Sequence, residues 1–196
     1  LLSRRQRQMC IRDRTGVVGR EILKILVENN VPYNEIKFLA SAKSAGKKIE
    51  FKGEEHTIIE ATPESFEGVN IVLASAGGST SLKLAPEAVK RGCVFIDNSS
   101  AYRMDKDCPL VIVGVNDNDL KNHKGIIPNP NCSTSQLMLV LKPLHDYAKI
   151  KRMIVSTYQA VSGAGIAAIN ELKENTVAVN EGKEFENVKF KKPIAY

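Results

Sequence analysis

Between residues 36 and 128 the apolar positions fall into short blocks, and most blocks run into a polar or glycine-rich stretch. IKFLA (36–40), NIVLAS (70–75) and CVFID (93–97) are rich in branched and aromatic residues and too short for helices, so they predict buried strands. LVIV (110–113) and GIIP (125–128) read the same way, and residues 150–158 predict a longer strand. Residues 48–51 and 56–60 predict two short strands, a hairpin turning near Gly53. Elsewhere the period is helical. Val18, Ile22, Ile25 and Leu26 fall on one stripe that Asn29, Asn30 and Pro32 bring to an end. A second helix opens at the glycine turn 76–81 and runs to about Arg91. A third starts near Ser133, with Leu137, Val140, Leu141 and Leu144 recurring along it; a fourth follows Gly165, with Ile169, Leu172, Thr176 and Val179 on one side.

Strands alternating with helices predict an α/β fold on a doubly wound parallel sheet, which takes its ligands at the carboxyl ends of the strands. Four polar or glycine-bearing loops then gather on that edge: 15–19, 41–47, 76–81 and 98–103. Their convergence predicts a dinucleotide-binding domain. Gly16 and Gly19, ahead of the first helix, form the second half of a dinucleotide fingerprint, in which glycines let the backbone approach a pyrophosphate. Its first glycine is absent, and Asp13 and Arg14 stand in the turn positions. No buried strand is expected ahead of it. Residues 1–14 are rich in arginine and glutamine, with one apolar triplet, Met9, Cys10 and Ile11, and are expected to be foreign or disordered.

Composition narrows the classes. A length of 196 residues with 43% hydrophobic content suits one domain or one and a half. No apolar run approaches the roughly 20 residues of a membrane span, and no apolar stretch of a signal peptide follows the first arginines. Cys10, Cys93, Cys108 and Cys132 lie far apart with no metal-type spacing, which predicts reduced thiols in a cytoplasm, with no disulfide and no metal site. The net charge is +6, but the five arginines of residues 1–14 against Asp13 account for +4 and leave +2 for the rest. No basic face for nucleic acid is indicated.

The candidate chemistry centres on Pro128, Asn129, Pro130 and Asn131, a rigid turn that sets Cys132 at or just before the start of a helix. Unpaired N–H groups and the positive dipole end favour a nucleophilic thiolate there. A small buried hydrophobe is the alternative for a lone cysteine. In the loop after the second strand, Ser41, Lys43 and Ser44 stand where NAD-binding units place an acidic residue. They suit a 2′-phosphate, hence NADP, or else a solvated turn.

Read in order, TGVVGRE (15–21), LASAKSAGK (39–47), SAGGSTS (75–81), IDNSSAYRMD (96–105), PNPNCSTSQL (128–137) and STYQAVSGAG (156–165) resemble the aspartate-semialdehyde dehydrogenase family, from about residue 15 to the end. The resemblance implies a Rossmann-like NADP-binding domain over 15–129 and, over 130–196, the incomplete start of an α+β catalytic and dimerisation domain. It implies NADPH-dependent reduction of L-aspartyl 4-phosphate to L-aspartate 4-semialdehyde through a cysteine thioester, on the route to diaminopimelate, lysine, threonine and methionine, in a cytoplasmic homodimer. Cys132 matches the nucleophile and Gln159 the glutamine beside the substrate. Arg103 matches the arginine that grips phosphate, and Asn131 a residue shaping the pocket. Thr15, Gly16, Val17, Val18, Gly19, Ser41, Lys43, Ser44, Ala76, Gly77, Gly78, Asn98 and Ser99 match the dinucleotide site, and Ser162, Gly163 and Gly165 its nicotinamide half. Val113-Gly114-Val115-Asn116 departs from the family's Pro-Glu-Val-Asn. The family's general-base histidine lies in a later segment. His56, in the hairpin, and His123, in a turn, do not fit it, and His145 is roughly 20 Å down the helix from Cys132 at 1.5 Å per residue. Impaired activity is therefore expected. The alternatives are a non-catalytic nucleotide-binding fragment and an N-acetyl-glutamyl-phosphate reductase.

Overall fold

The computed structural model describes residues 8–12 and 17–195, the side chains of Arg12 and Val17 excepted. Six strands form one parallel sheet: β1 (Gln8–Arg12), β2 (Glu35–Ala40), β5 (Ile59–Glu60), β6 (Ile71–Ala74), β7 (Val94–Asp97) and β8 (Ile126–Pro128). Their spatial order is β5-β2-β1-β6-β7-β8, so the chain winds outward from β1 in one direction and, from β6, in the other. This is the doubly wound, Rossmann-like α/β arrangement, and its reversal between β1 and β6 opens the crevice that such sheets use for ligands.

The expectation of a missing first strand is corrected. Gln8–Arg12 is the central strand, paired along its length with β2 and over Met9 to Arg12 with β6. Alternation explains how so few apolar residues suffice. Met9 and Ile11 enter the core that also holds Leu23, Leu26, Phe38, Phe51 and Ile58. Cys10 enters the core on the other face, with Phe66, Val72, Leu84, Ala88 and Phe95. All three are 3% exposed or less.

α1 (Val17–Glu28) turns Leu23 and Leu26 inward and leaves Ile25 47% exposed, which shifts the expected stripe by part of a turn. α2 (Gly78–Lys90) buries Leu84, Ala85 and Ala88 against β7 and ends where expected. The hairpin forms from β3 (Lys48–Phe51) and β4 (Glu54–Thr57), turning through Lys52 and Gly53, both at positive φ. The run 56–60 breaks at Ile58: its first part completes the hairpin and its last part joins β2.

Two other strands are absent from the described residues. Over 110–113 the backbone is spent locally: the Ile112 N–H donates to the Asn116 side chain, and the Ile112 carbonyl accepts from Val115 and Asn116. Residues 150–158 have no neighbouring strand to bond, and Ile154 and Tyr158 are 81% and 100% exposed. α3 (Cys132–Ala148) likewise buries no side chain, and Leu139, Val140, Leu144 and Tyr147 all face outward. α4 (Ile166–Asn180) buries Ala168, Glu171 and Asn175 in place of the expected stripe. The Glu171 carboxylate accepts the N–H groups of Val188, Lys189 and Phe190, which holds the last stretch of chain against the helix.

Candidate active site

Parallel strands all deliver their loops to one edge, and helix starts collect there. A cavity of about 590 Å³ lies among them, bordered by Val18 of α1, 75–78 at the start of α2, 98–100 and Arg103 after β7, 130–132 at the start of α3, and 162–166 at the start of α4. α2 and α4 are entered through Gly77 and Gly165, neither of which offers a side-chain cap, so their first N–H groups are left for a ligand. Gly77, at φ +83°, has nothing within 4 Å of where a Cβ would stand. Several helix starts around one cavity favour an anionic guest, and glycine lets the backbone come close to it. These features fit a dinucleotide pyrophosphate.

Asn131 caps α3, its side-chain oxygen accepting from the Ser133 N–H at 3.0 Å. Cys132 is then the first helical residue, and its side chain is exposed, unlike those of Cys10, Cys93 and Cys108. Gln159 Nε2 donates to Cys132 Sγ at 3.2 Å. A Cβ on Gly163 would stand 3.2 Å from that same nitrogen, so the glycine leaves the amide its place. Cys132, Gln159, Ser162 and Gly163 also border a second cavity of about 430 Å³, lined further by Gln136 and Tyr158. The thiol therefore stands where two spaces meet. Cys93 and Cys108 behave as buried structural thiols. Burial pushes both up from the ordinary thiol value, and Asp105 and Asp107 add to the rise at Cys108.

Arg103 is half-buried, with Nε donating to the Asn129 carbonyl at 2.8 Å and one terminal nitrogen to the Asn98 carbonyl at 3.3 Å. Both partners are neutral, and no described ion pair involves Arg103. Its fork keeps further donors for an incoming anion.

Of the expected site residues, Cys132, Gln159, Arg103, Asn131, Val18, Ala76, Gly77, Gly78, Asn98, Ser99, Ser162, Gly163 and Gly165 all border this cavity. Gly19 is buried in α1. Ser41, Lys43 and Ser44 lie on a short 3-10 turn after β2, at the same sheet edge but outside the cavity lining. Thr15 and Gly16, and the side chain of Val17, fall outside the described residues. The histidines stay away: His56 packs edge-on to Phe38, the His123 ring accepts from the Gly125 N–H, and His145 lies near the end of α3.

The residue the motif reading passed over is Asp97. It is fully buried and takes hydrogen bonds from Ser81 Oγ, Ser99 N–H and Ser99 Oγ. An aspartate closing an apolar strand and followed by Asn-Ser-Ser was the signal available.

Two family models match, the NAD binding domain of semialdehyde dehydrogenase over residues 14–123 and its dimerisation domain over 141–196. The chain belongs to the semialdehyde dehydrogenase family. The aspartate-semialdehyde dehydrogenase of Bacillus subtilis is 54% identical over 172 residues, which is 88% of this chain and 50% of that protein. That of Aquifex aeolicus is 54% identical over 93% of this chain and 55% of its own length. The chain thus spans about half the length of these curated relatives. Among solved structures, aspartate semialdehyde dehydrogenase II of Vibrio cholerae, complexed with ASA, superposes with a TM-score of 0.87 at 40% identity, over 97% of this chain and 57% of that one. The aspartate semialdehyde dehydrogenase of Candida albicans, solved with NADP, gives 0.58 at 26% identity, over 74% and 48%. In this semialdehyde dehydrogenase chain, as in the family models, the dinucleotide side precedes the dimerisation side, and Cys132 falls between the two matched stretches.

Proposed function

We propose that the chain forms the dinucleotide-binding domain, to about residue 129, and the first part of the catalytic domain, from residue 130, of an NADPH-dependent aspartate-semialdehyde dehydrogenase. The observation that carries this reading is the placement of Cys132. It is an exposed thiol at a helix start, within hydrogen-bond reach of Gln159, on the rim of a glycine-lined cavity. A thiolate there attacks the acyl carbon of L-aspartyl 4-phosphate, and phosphate leaves to give a thioester on Cys132. A nicotinamide bound in the cavity would supply hydride to that thioester, and Cys132 would leave as the thiolate when the aldehyde is released. Gln159 steadies the sulfur and the substrate oxygen through its amide. The free donors of Arg103 hold the departing phosphate. The glycine-flanked starts of α2 and α4 would hold the dinucleotide, with Ser162, Gly163 and Gly165 near the nicotinamide. Ser41, Lys43 and Ser44 are suited to the 2′-phosphate, and the NADP complex of the Candida albicans relative supports that choice.

The intact enzyme acts as a cytoplasmic homodimer in amino-acid biosynthesis towards lysine, threonine and methionine. The dimerisation-domain match and the outward apolar face of α3 support the dimer. Among the described residues no histidine borders either cavity at Cys132, so the described thiol has no histidine base beside it. General base assistance is worth about 10²–10⁴-fold, and turnover by this chain is lower than that of an intact relative by a factor of that order.

The test is NADPH oxidation with aspartyl phosphate, for the chain and for Cys132→Ser, beside an intact relative. Slow turnover that vanishes in Cys132→Ser is expected, and none with N-acetyl-glutamyl phosphate. Equal rates in chain and variant, or no NADPH binding, would overturn the reading. Binding with no Cys132-dependent turnover would leave a nucleotide-binding fragment.

A further inference from the structure

We propose that Asp97 is a positioning residue whose carboxylate sets the two loop walls of the cavity, 76–81 and 98–103, against each other. Its role rests on the nucleotide reading above only for the ligand, not for the geometry. Asp97 ends β7, in register with Ala74 of β6 and Pro128 of β8, so it stands at the root of three site-bearing loops. It is 0% exposed and is not among the residues that line the cavity. One carboxylate oxygen accepts from Ser81 Oγ at 2.7 Å and from the Ser99 N–H at 2.9 Å; the other accepts from Ser99 Oγ at 2.7 Å.

Each partner fixes a different wall. Ser81 lies in the first turn of α2, and its N–H bonds the carbonyl of Gly77, so its hydroxyl bond locks the turn whose leading N–H groups face the cavity. Ser99 is held through both N–H and hydroxyl, and that hydroxyl in turn accepts from the Ala101 N–H at 3.1 Å. The adjacent Asn98 carbonyl receives Arg103. The main-chain carbonyl of Asp97 accepts from the Asn129 N–H at 2.7 Å, and the Asn129 carbonyl receives Arg103 Nε. A single buried carboxylate therefore ties the anion-facing start of α2 to the loop that aims Arg103, and its strand ties both to the turn before Cys132. A buried network of this kind fixes geometry only while every member is satisfied.

The decisive experiment compares the chain with Asp97→Asn by amide hydrogen exchange, and then by NADPH binding. The substituted amide keeps one acceptor oxygen, for Ser81 and the Ser99 N–H, and loses the acceptor facing the Ser99 hydroxyl. Exchange at the hydrogen-bonded amides of Ser81, Ser99 and Ala101 is expected to rise about tenfold or more, the equivalent of one hydrogen bond, while amides of β1 and β6 change by less than about threefold. NADPH binding is expected to weaken by about tenfold. Unchanged exchange in both loops, or an even rise across β1 and β6, would overturn the proposal, the second outcome marking plain core support. If the parent chain binds no NADPH, the nucleotide reading falls and the exchange contrast still judges Asp97. Should Asp97→Asn not fold, Ser81→Ala carries the test, with faster exchange at the amide of residue 81 and none in β1 or β6 supporting the proposal and no local change refuting it.

Discussion

Replacing Gln159 with leucine removes the amide that donates to Cys132 Sγ at 3.2 Å while keeping a side chain of similar length. A hydrogen bond to a charged acceptor is worth about 1.5–3 kcal/mol. Cys132 and Gln159 are both exposed, so water replaces part of what is lost, and about 1 kcal/mol is the appropriate size. At RT of about 0.6 kcal/mol this corresponds to a roughly fivefold slower reaction at the Cys132 sulfur. The assay is pseudo-first-order alkylation with iodoacetamide at pH 7, read by mass spectrometry on the peptide carrying Cys132. Because Cys93 and Cys108 are buried and pushed up, Cys132 labels ahead of them. Gln159→Glu brings a carboxylate to the same place and slows labelling further. If Gln159→Leu labels as fast as the parent, or faster, the amide shields the sulfur and does not steady it.

Other expectations concern the fold and its caps. Phe66 is 0% exposed, so Phe66→Ala costs about 3–5 kcal/mol, visible as a large drop in the urea midpoint. Asn131→Ala removes the cap of α3 and costs about 1 kcal/mol in the same titration, with slower Cys132 alkylation if the cap also places the thiol. Burial raises Cys93 and Cys108 in the folded state, so their contribution to stability is whole below the ordinary thiol value of 9.0 and is lost as pH rises above it. Urea midpoints measured from pH 7.5 to 10.5, a range chosen to bracket that value, should fall at the alkaline end, and Cys93→Ala should flatten the fall.

Most of the sheet was legible because its strands are dense apolar blocks bounded by glycine or polar turns. The site was legible because each of its motifs sits at a strand end or helix start, where backbone N–H groups and short polar side chains collect. Gln8–Arg12 was not: three apolar residues between Gln and Arg look too sparse for a central strand, and only burial on both faces makes them sufficient. Residues 110–113 and 150–158 erred the other way. Branched residues suit a strand, but a strand also needs a ladder partner; Asn116 takes over the first segment and no described strand flanks the second. Asp97 escaped notice because its role is to be hidden, and composition does not distinguish a buried carboxylate from a turn residue.

The position of β1 has a practical consequence. Its hydrogen-bonded neighbours in the sheet are β2 and β6, which do not touch one another there. Removing residues 8–12 would not trim an edge. It would withdraw the middle plank, leaving two narrow half-sheets, and the damage would reach the Cys132 thiol without altering any residue near it.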